Sequence, residues 1–155
     1  MSPHEYTRIV QLYADDLYRL IFSYCHNASD AEDLLQNVFE KLLRNKKPFQ
    51  NDDHAKRWLI TVAVNECRSL FRSVWKNRIH FFAEQEELTY SDPEVSEVFD
   101  AVRSLPPKYR IPIHLHYYEG YSEKEIAEIL RLPLSTVKAR VKRGKERLRE
   151  KLEVI

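Results

Sequence analysis

Eight cationic side chains, Lys138, Arg140, Lys142, Arg143, Lys145, Arg147, Arg149 and Lys151, crowd the stretch PLSTVKARVKRGKERLREKL, residues 133–152, against only Glu146 and Glu150. The chain of 155 residues carries a formal net charge of just +1, so this concentration is local. Massed lysine and arginine serve to neutralise phosphate, provided their spacing lets them act together. On a helix, Val137, Val141, Gly144, Leu148 and Leu152 form one narrow apolar stripe. Lys138, Lys142, Lys145 and Arg149 then lie on one flank, and Arg140, Arg143, Arg147 and Lys151 on the other. A helix seated by its apolar edge, with cations on both shoulders, is shaped to lie between two phosphate ridges. Near its start Ser135, Lys138, Ala139, Lys142 and Arg143 point away from the core, where base edges would be met. The competing reading is a solubilising amphipathic helix.

A second set of candidates lies in the middle of the chain. At 100° per residue Arg57, Thr61, Asn65, Arg68 and Arg72 fall within an arc of roughly 80°. Leu59, Ile60, Ala63, Val64, Cys67, Leu70 and Phe71 take the opposite side. Trp58 flanks the polar stripe and neighbours the loop bearing Phe49. Such a stripe is often only a solvated face. Cations interleaved with aromatics and a central amide are also what single-stranded nucleic acid requires: charge neutralisation, stacking and a base-edge reader.

Enzymatic chemistry finds little to stand on. His114 and His116 are two residues apart, so on a helix they point to different sides and make a poor metal pair. His26 beside Cys25 has no further ligands nearby. Neither a metal nor a cofactor is expected. Cys25 and Cys67 each fall inside an apolar-periodic run, so they read as core thiols of a reducing compartment.

The elements that must position these residues are helical. With two glycines, Gly120 and Gly144, the chain has no room for a glycine-rich phosphate loop or for many tight turns. Ile9, Val10, Tyr13, Leu17, Leu20, Ile21 and Tyr24 mark a first helix. Ser29 and Glu32 read as a capping box opening a second, with Ala31, Leu34, Leu35, Val38, Phe39, Leu42 and Leu43 on its apolar side and Asp30, Asp33, Gln36, Asn37 and Glu40 on its polar one. NKKPFQNDD is read as a loop, and Ala55 to about Ser73 as the third helix. Val95, Val98, Phe99, Val102 and Leu105 mark a fourth, ended by Pro106 and Pro107. The fifth covers about Tyr109 to Tyr118, starting late or kinked at Pro112. Ser122 and Glu125 form another capping box for a short helix, and a turn at Arg131 to Leu134 leads to the basic helix, with Ser135 expected as its cap. A short helix, a turn and a longer basic helix make a helix-turn-helix.

Charge divides the chain in the same way. Residues 1–82 sum to +2, residues 101–155 to +6, and residues 83–100 hold seven acids and no base. The expected fold is all-α: two small helical domains, 1–80 and 95–155, joined by an acidic linker at 81–94, the second ending in the helix-turn-helix. No stretch approaches the length of a membrane span and the N-terminus lacks an apolar signal core, so a cytoplasmic protein without membrane insertion is expected.

DAEDLLQNVFEKLL, RWLITVAVNECRSLFR, LPPKYR, HYYEGYSEKEIAEIL and STVKARVKRGKERLR, in this order and at these separations, resemble a bacterial RNA polymerase sigma factor of the extracytoplasmic function group, in the sigma-70 family. The resemblance covers nearly the whole chain. It implies that Asp30, Asp33, Gln36, Asn37 and Glu40 meet the clamp helices of core RNA polymerase. It also implies that Arg57, Trp58, Thr61, Asn65, Arg68 and Arg72 capture the minus 10 element as single strand, with Asn65 at the position of the family's base-reading asparagine. The loop Phe49 to His54 stands where the family holds a flipped base. Ser135, Thr136, Lys138, Ala139, Arg140, Lys142 and Arg143 would read the minus 35 element as duplex while that domain rests on the polymerase flap. The linker would pass near the nascent RNA, and an anti-sigma factor is the expected inhibitor. Three residues depart from the family pattern: Pro112, Gly144, which would weaken the last helix by about 1 kcal/mol relative to alanine, and Lys142, whose reach differs from an aromatic's. The principal rival is a stand-alone helix-turn-helix regulator, which has no use for the Arg57 to Arg72 stripe or the polar face of the second helix.

Overall fold

The computed structural model describes residues 1–25, 27–77 and 93–153, and all regular structure among them is helical. The helices are α1 (Pro3–Cys25), α2 (Ala28–Arg44), α3 (Asp52–Asn77), α4 (Pro93–Arg103), α5 (Pro107–Tyr117), α6 (Glu123–Leu130) and α7 (Leu134–Glu153). The chain divides into two compact units, Met1–Glu86 and Glu87–Ile155. The expected linker at 81–94 lies outside the described residues except for Pro93 and Glu94, which open α4. His26 and the side chains of Phe71, Val95 and Phe99 also lie outside them.

In the first unit α1, α2 and α3 pack on one another. Their apolar stripes meet as the spacing predicts: Ile9, Leu17, Leu20, Ile21, Val38, Leu42, Leu59, Ile60, Val64 and Cys67 are at most 1% exposed. Each such aliphatic side chain contributes about 1.5–3 kcal/mol by leaving water. Leu43 does not follow, being 66% exposed, because a stripe of that width runs past the edge of the contact with α1 and α3. Cys25 and Cys67 are buried and form no disulfide.

In the first unit two helix starts differ from expectation. The cap of α2 is Asn27, not Ser29: its side chain accepts the Asp30 N–H at 3.0 Å, and the helix is already formed at Ala28. Asparagine caps as well as serine, and the earlier of two competent caps took the orphan donor. Likewise α3 begins at Asp52, three residues before Ala55. Arg8 of α1 forks onto both Asp52 oxygens (3.0 and 3.1 Å), and the Tyr13 hydroxyl donates to the Asp52 carbonyl at 3.0 Å. These contacts fasten the loop's end to α1. They hold the Asp52 carboxyl below the ordinary aspartate value, chiefly through the Arg8 hydrogen bond.

In the second unit α5 packs on α7, α4 and α6, and α7 also packs on α4 and α6. The fifth helix starts at Pro107, where a missing N–H is harmless, and runs through Pro112 rather than beginning late. The buried Arg110 guanidinium donates twice to the Leu105 carbonyl, at 3.1 and 2.8 Å, closing the corner between α4 and α5. The capping box at Ser122 and Glu125 is present in both directions, at 3.1 Å each. Gly120 has φ +75°, a left-handed residue in the turn that follows α5, whose cap is Tyr118. No helix among the described residues is long and apolar enough to cross a membrane.

Candidate nucleic-acid interface

The helix-turn-helix is built by α6, a tight turn and α7. Arg131 takes the left-handed conformation (φ 55°, ψ 48°), and the Leu132 N–H donates to the Ala127 carbonyl at 3.0 Å. The turn is Arg131 to Pro133, one residue shorter than expected, because α7 starts at Leu134: the Pro133 carbonyl accepts from Thr136 and Val137 at 3.0 and 3.2 Å. Ser135 therefore lies in the first turn, exposed, and is not the cap. Val137 and Val141 are 0% and 3% exposed and Gly144 is buried, so the apolar stripe seats α7 as its spacing requires. Leu148 is half-buried, and Leu152 emerges at 37%. Of the expected duplex contacts, Ser135, Lys138, Ala139, Lys142 and Arg143 are exposed, and Thr136 and Arg140 are half-buried on the shoulders. All seven lie on the first ten residues of α7.

The glycine at position 144 is a packing requirement. A Cβ there would stand 2.6 Å from Ile113 Cγ1, 2.9 Å from Ile113 Cδ1 and 3.5 Å from Tyr109 Cβ, so the glycine lets α7 lie close on α5. The expected loss of helix propensity is thus set against a close contact that alanine would crowd. Beside it a cleft of about 630 Å³ opens among Val98, Val102, Ile113, Tyr117, Tyr118 and Leu148, with Lys145 and Arg149 at its rim. The Lys145 ammonium sits 5.4 Å from the Tyr117 ring centroid.

On α3 the polar stripe also forms one surface. Asn65 and Arg72 are exposed, and Arg57, Trp58, Thr61 and Arg68 are half-buried at its margin. The Thr61 hydroxyl donates to the Arg57 carbonyl at 2.8 Å, so toward a ligand it offers only acceptor capacity. Asn65 keeps its amide uncommitted among the described residues. At the head of the stripe Phe49 stands 5.6 Å from Trp58 and edge-on to His54 at 5.4 Å. The Gln50 N–H donates to His54 Nδ1 at 3.0 Å, bending the loop around this aromatic group. On α2 Asp33, Gln36, Asn37 and Glu40 are exposed and Asp30 is half-buried in the first turn, where negative charge favours the helix dipole. Lys41, also on α2, pairs with Glu66 of α3.

Sequence reasoning missed the residues that fasten these surfaces. Arg8 and Tyr13 anchor Asp52, and Tyr109 stands against Gly144 and Arg147 of α7. Each is a contact between helices distant in sequence, for which no local spacing carries a signal.

Comparison with known proteins matches two family models, Sigma-70 region 2 over residues 9–77 and Sigma-70 region 4 over residues 96–148. The ECF RNA polymerase sigma factor SigW of Bacillus subtilis is 34% identical, with 93% of this chain and 87% of that protein aligned. The ECF RNA polymerase sigma factor SigE of Mycolicibacterium smegmatis is 30% identical over 93% of this chain, which spans only 60% of that relative's length. Among solved structures, the sigma factor RpoE in complex with the anti-sigma factor NepR from Bartonella quintana superposes with a TM-score of 0.80 at 24% identity, covering 97% and 98% of the two chains, a likeness of fold.

Proposed function

The chain belongs to the sigma-70 family, in its ECF group, and serves promoter recognition by RNA polymerase; on that premise we propose how its two units share the work. The second unit, residues 95–155, docks the minus 35 element as duplex, with Lys138, Ala139 and Lys142 of α7 in the major groove and Ser135, Thr136, Arg140 and Arg143 along its edge. The first unit, residues 1–80, binds the polymerase clamp helices through Asp30, Asp33, Gln36, Asn37 and Glu40. It then offers Asn65 and the cations of α3 to bases that unstack at minus 10. Trp58, Phe49 and His54 supply the stacking surface for a flipped base. Capturing such bases offsets the few kcal/mol that unstacking costs, so opening needs no nucleotide hydrolysis by this chain. The stretch 81–94 joins the two units. The cleft bounded by Val98, Val102, Ile113 and Leu148 is the surface for the flap. Such a factor works in the cytoplasm, and an anti-sigma factor is its inhibitor, as NepR is in the complex with RpoE.

The observation that carries this reading is the pairing, in one chain, of a cationic recognition helix in a helix-turn-helix with a separate polar and aromatic face on α3. A stand-alone regulator has no use for the second. Run-off transcription with core polymerase on fragments of the encoding genome tests it. Wild type starts transcripts at defined sites, Asn65→Ala loses strand opening, and Lys142→Ala with Arg143→Ala loses duplex capture. Duplex binding without any initiation on core would leave the stand-alone regulator as the better account.

A further inference from the structure

The close approach at Gly144 brings α7 over Tyr109, one helical turn before Ile113 on α5. The Arg147 guanidinium lies 4.9 Å from the Tyr109 ring centroid and the Lys108 ammonium 5.0 Å. The ring is only 5% exposed, while Lys108, Arg143 and Arg147 are all exposed. Lys108 and Arg147 set their cationic ends against the ring while remaining exposed to water. Burial acts to raise the phenol's pKa, but the hydrogen-bonding and charge of nearby Lys108 and Arg143 prevail and hold it below the ordinary tyrosine value. Three cations from two helices thus converge on one phenol. Among the described residues no carboxylate pairs with any of the three. Like charges gathered in this way repel until an anion joins them. Two guanidinium forks and one ammonium match a group with two unesterified oxygens.

We propose that Lys108, Arg143 and Arg147, gathered around Tyr109, grip one phosphodiester of the promoter backbone, so that the duplex interface extends from α7 onto the start of α5. This rests on the reading of α7 as the duplex-docking helix. It gives Tyr109 a positioning role: its ring carries Arg147 and its hydroxyl holds Arg143 toward the backbone. Arg143 then contributes affinity rather than sequence preference, which separates it from Lys138 and Lys142. Gly144 is the residue that makes the grip possible, since α5 and α7 could not otherwise come so close.

The test uses the full chain assembled with core polymerase, on duplex fragments carrying a promoter it initiates from and on the same fragments with the minus 35 element scrambled. Lys108→Ala should weaken binding to both about tenfold at 0.1 M salt and make the dependence of log K on log salt shallower by about one. Lys108→Arg should restore both. Tyr109→Phe, which keeps the ring under Arg147, should weaken both duplexes by a similar factor without reordering them. A neutral methylphosphonate at one backbone position should cost wild type at least the same factor and cost Lys108→Ala less, since one of the three cations is already gone. An unchanged salt slope in Lys108→Ala, or an Arg143→Ala variant that loses preference for the intact minus 35 element, would overturn the proposal. Inorganic phosphate supplies a further arm: if it competes beyond chloride of equal ionic strength, and Lys108→Ala abolishes only that competition, the cluster is a free-anion site and the proposal fails. Failure of the underlying reading is distinct, because Lys138→Ala with Lys142→Ala would then leave duplex affinity untouched.

Discussion

Gly144 and Gly120 are the only glycines in the chain, and they are needed for different reasons. At Gly120 the space is open, with nothing within 4 Å of an added Cβ, but the backbone sits at φ +75°. Gly120→Ala should therefore lower stability by about 1–2 kcal/mol through backbone strain alone, read as a shift in urea midpoint without change in slope. At Gly144 the backbone is helical and the conflict is steric. Alanine gains about 1 kcal/mol of helix propensity, whereas overpacking a buried contact costs typically 1–3 kcal/mol. With Ile113 wholly buried at 2.6 Å, packing should win and Gly144→Ala should destabilise. Joined to Ile113→Ala, which removes the clashing atoms, the pair should be less unstable than the sum of the single changes. A third residue, Asp52, is read by titration. Its carboxyl pKa is depressed by Arg8, so the stabilisation from this pair is present above the unfolded value near about 3.9 and is lost as pH falls through the lower folded value. Arg8→Gln should bring the midpoint, followed by carbon NMR of the Asp52 carboxyl, back up toward the ordinary range.

Capping sets where the elements begin, and it separates what could be read from what could not. Asn27→Ala should cost about 1 kcal/mol in the first unit and Ser29→Ala almost nothing, since only Asn27 accepts a bond from the helix. The reverse pattern in denaturant melts would mean that Ser29 is the working cap after all. Ser122→Ala should cost about 1 kcal/mol in the second unit, because its box is closed from both sides. The existence of all seven helices was legible, because each apolar stripe recurs at helical spacing and is punctuated by proline, glycine or a capping residue. The Arg57 to Arg72 stripe and the flanks of α7 were legible for the same reason, as properties of a single helix. What local pattern did not carry was competition and distance. Asn27 and Ser29 are both competent caps, and the helix starts from the earlier one. Arg8 finds Asp52 forty-four residues away, and Tyr109 meets Arg143 and Arg147 across a helix pair whose spacing depends on one absent methyl group.

The charge of the whole chain nearly cancels, yet its parts do not: +2 over residues 1–82 and +6 over residues 101–155, against seven acids and no base over residues 83–100. A molecule with diffuse positive charge would bind any nucleic acid through any face, with a salt dependence shared among all its cations. Exposed cations also stand on α1, α2 and the loop after α2 (Arg19, Arg44, Lys46, Lys47), but those gathered into one face belong to α7 with Lys108 in one unit and to α3 in the other, so the two forms of nucleic acid should answer to different substitutions. With the full chain on core polymerase, Lys138→Ala plus Lys142→Ala should make the salt slope for closed duplex binding shallower by up to about two and leave affinity for a pre-melted minus 10 strand almost unchanged. Arg57→Ala plus Arg72→Ala should do the opposite, weakening capture of the single strand while duplex docking keeps its slope. If either pair altered both slopes equally, the cations would be acting as one pooled charge and the division between α3 and α7 would be wrong. Separate responses would mean that near-neutrality has a use. It keeps the background affinity for nucleic acid low, so that binding depends on faces matched in shape to a duplex groove on one unit and to splayed bases on the other.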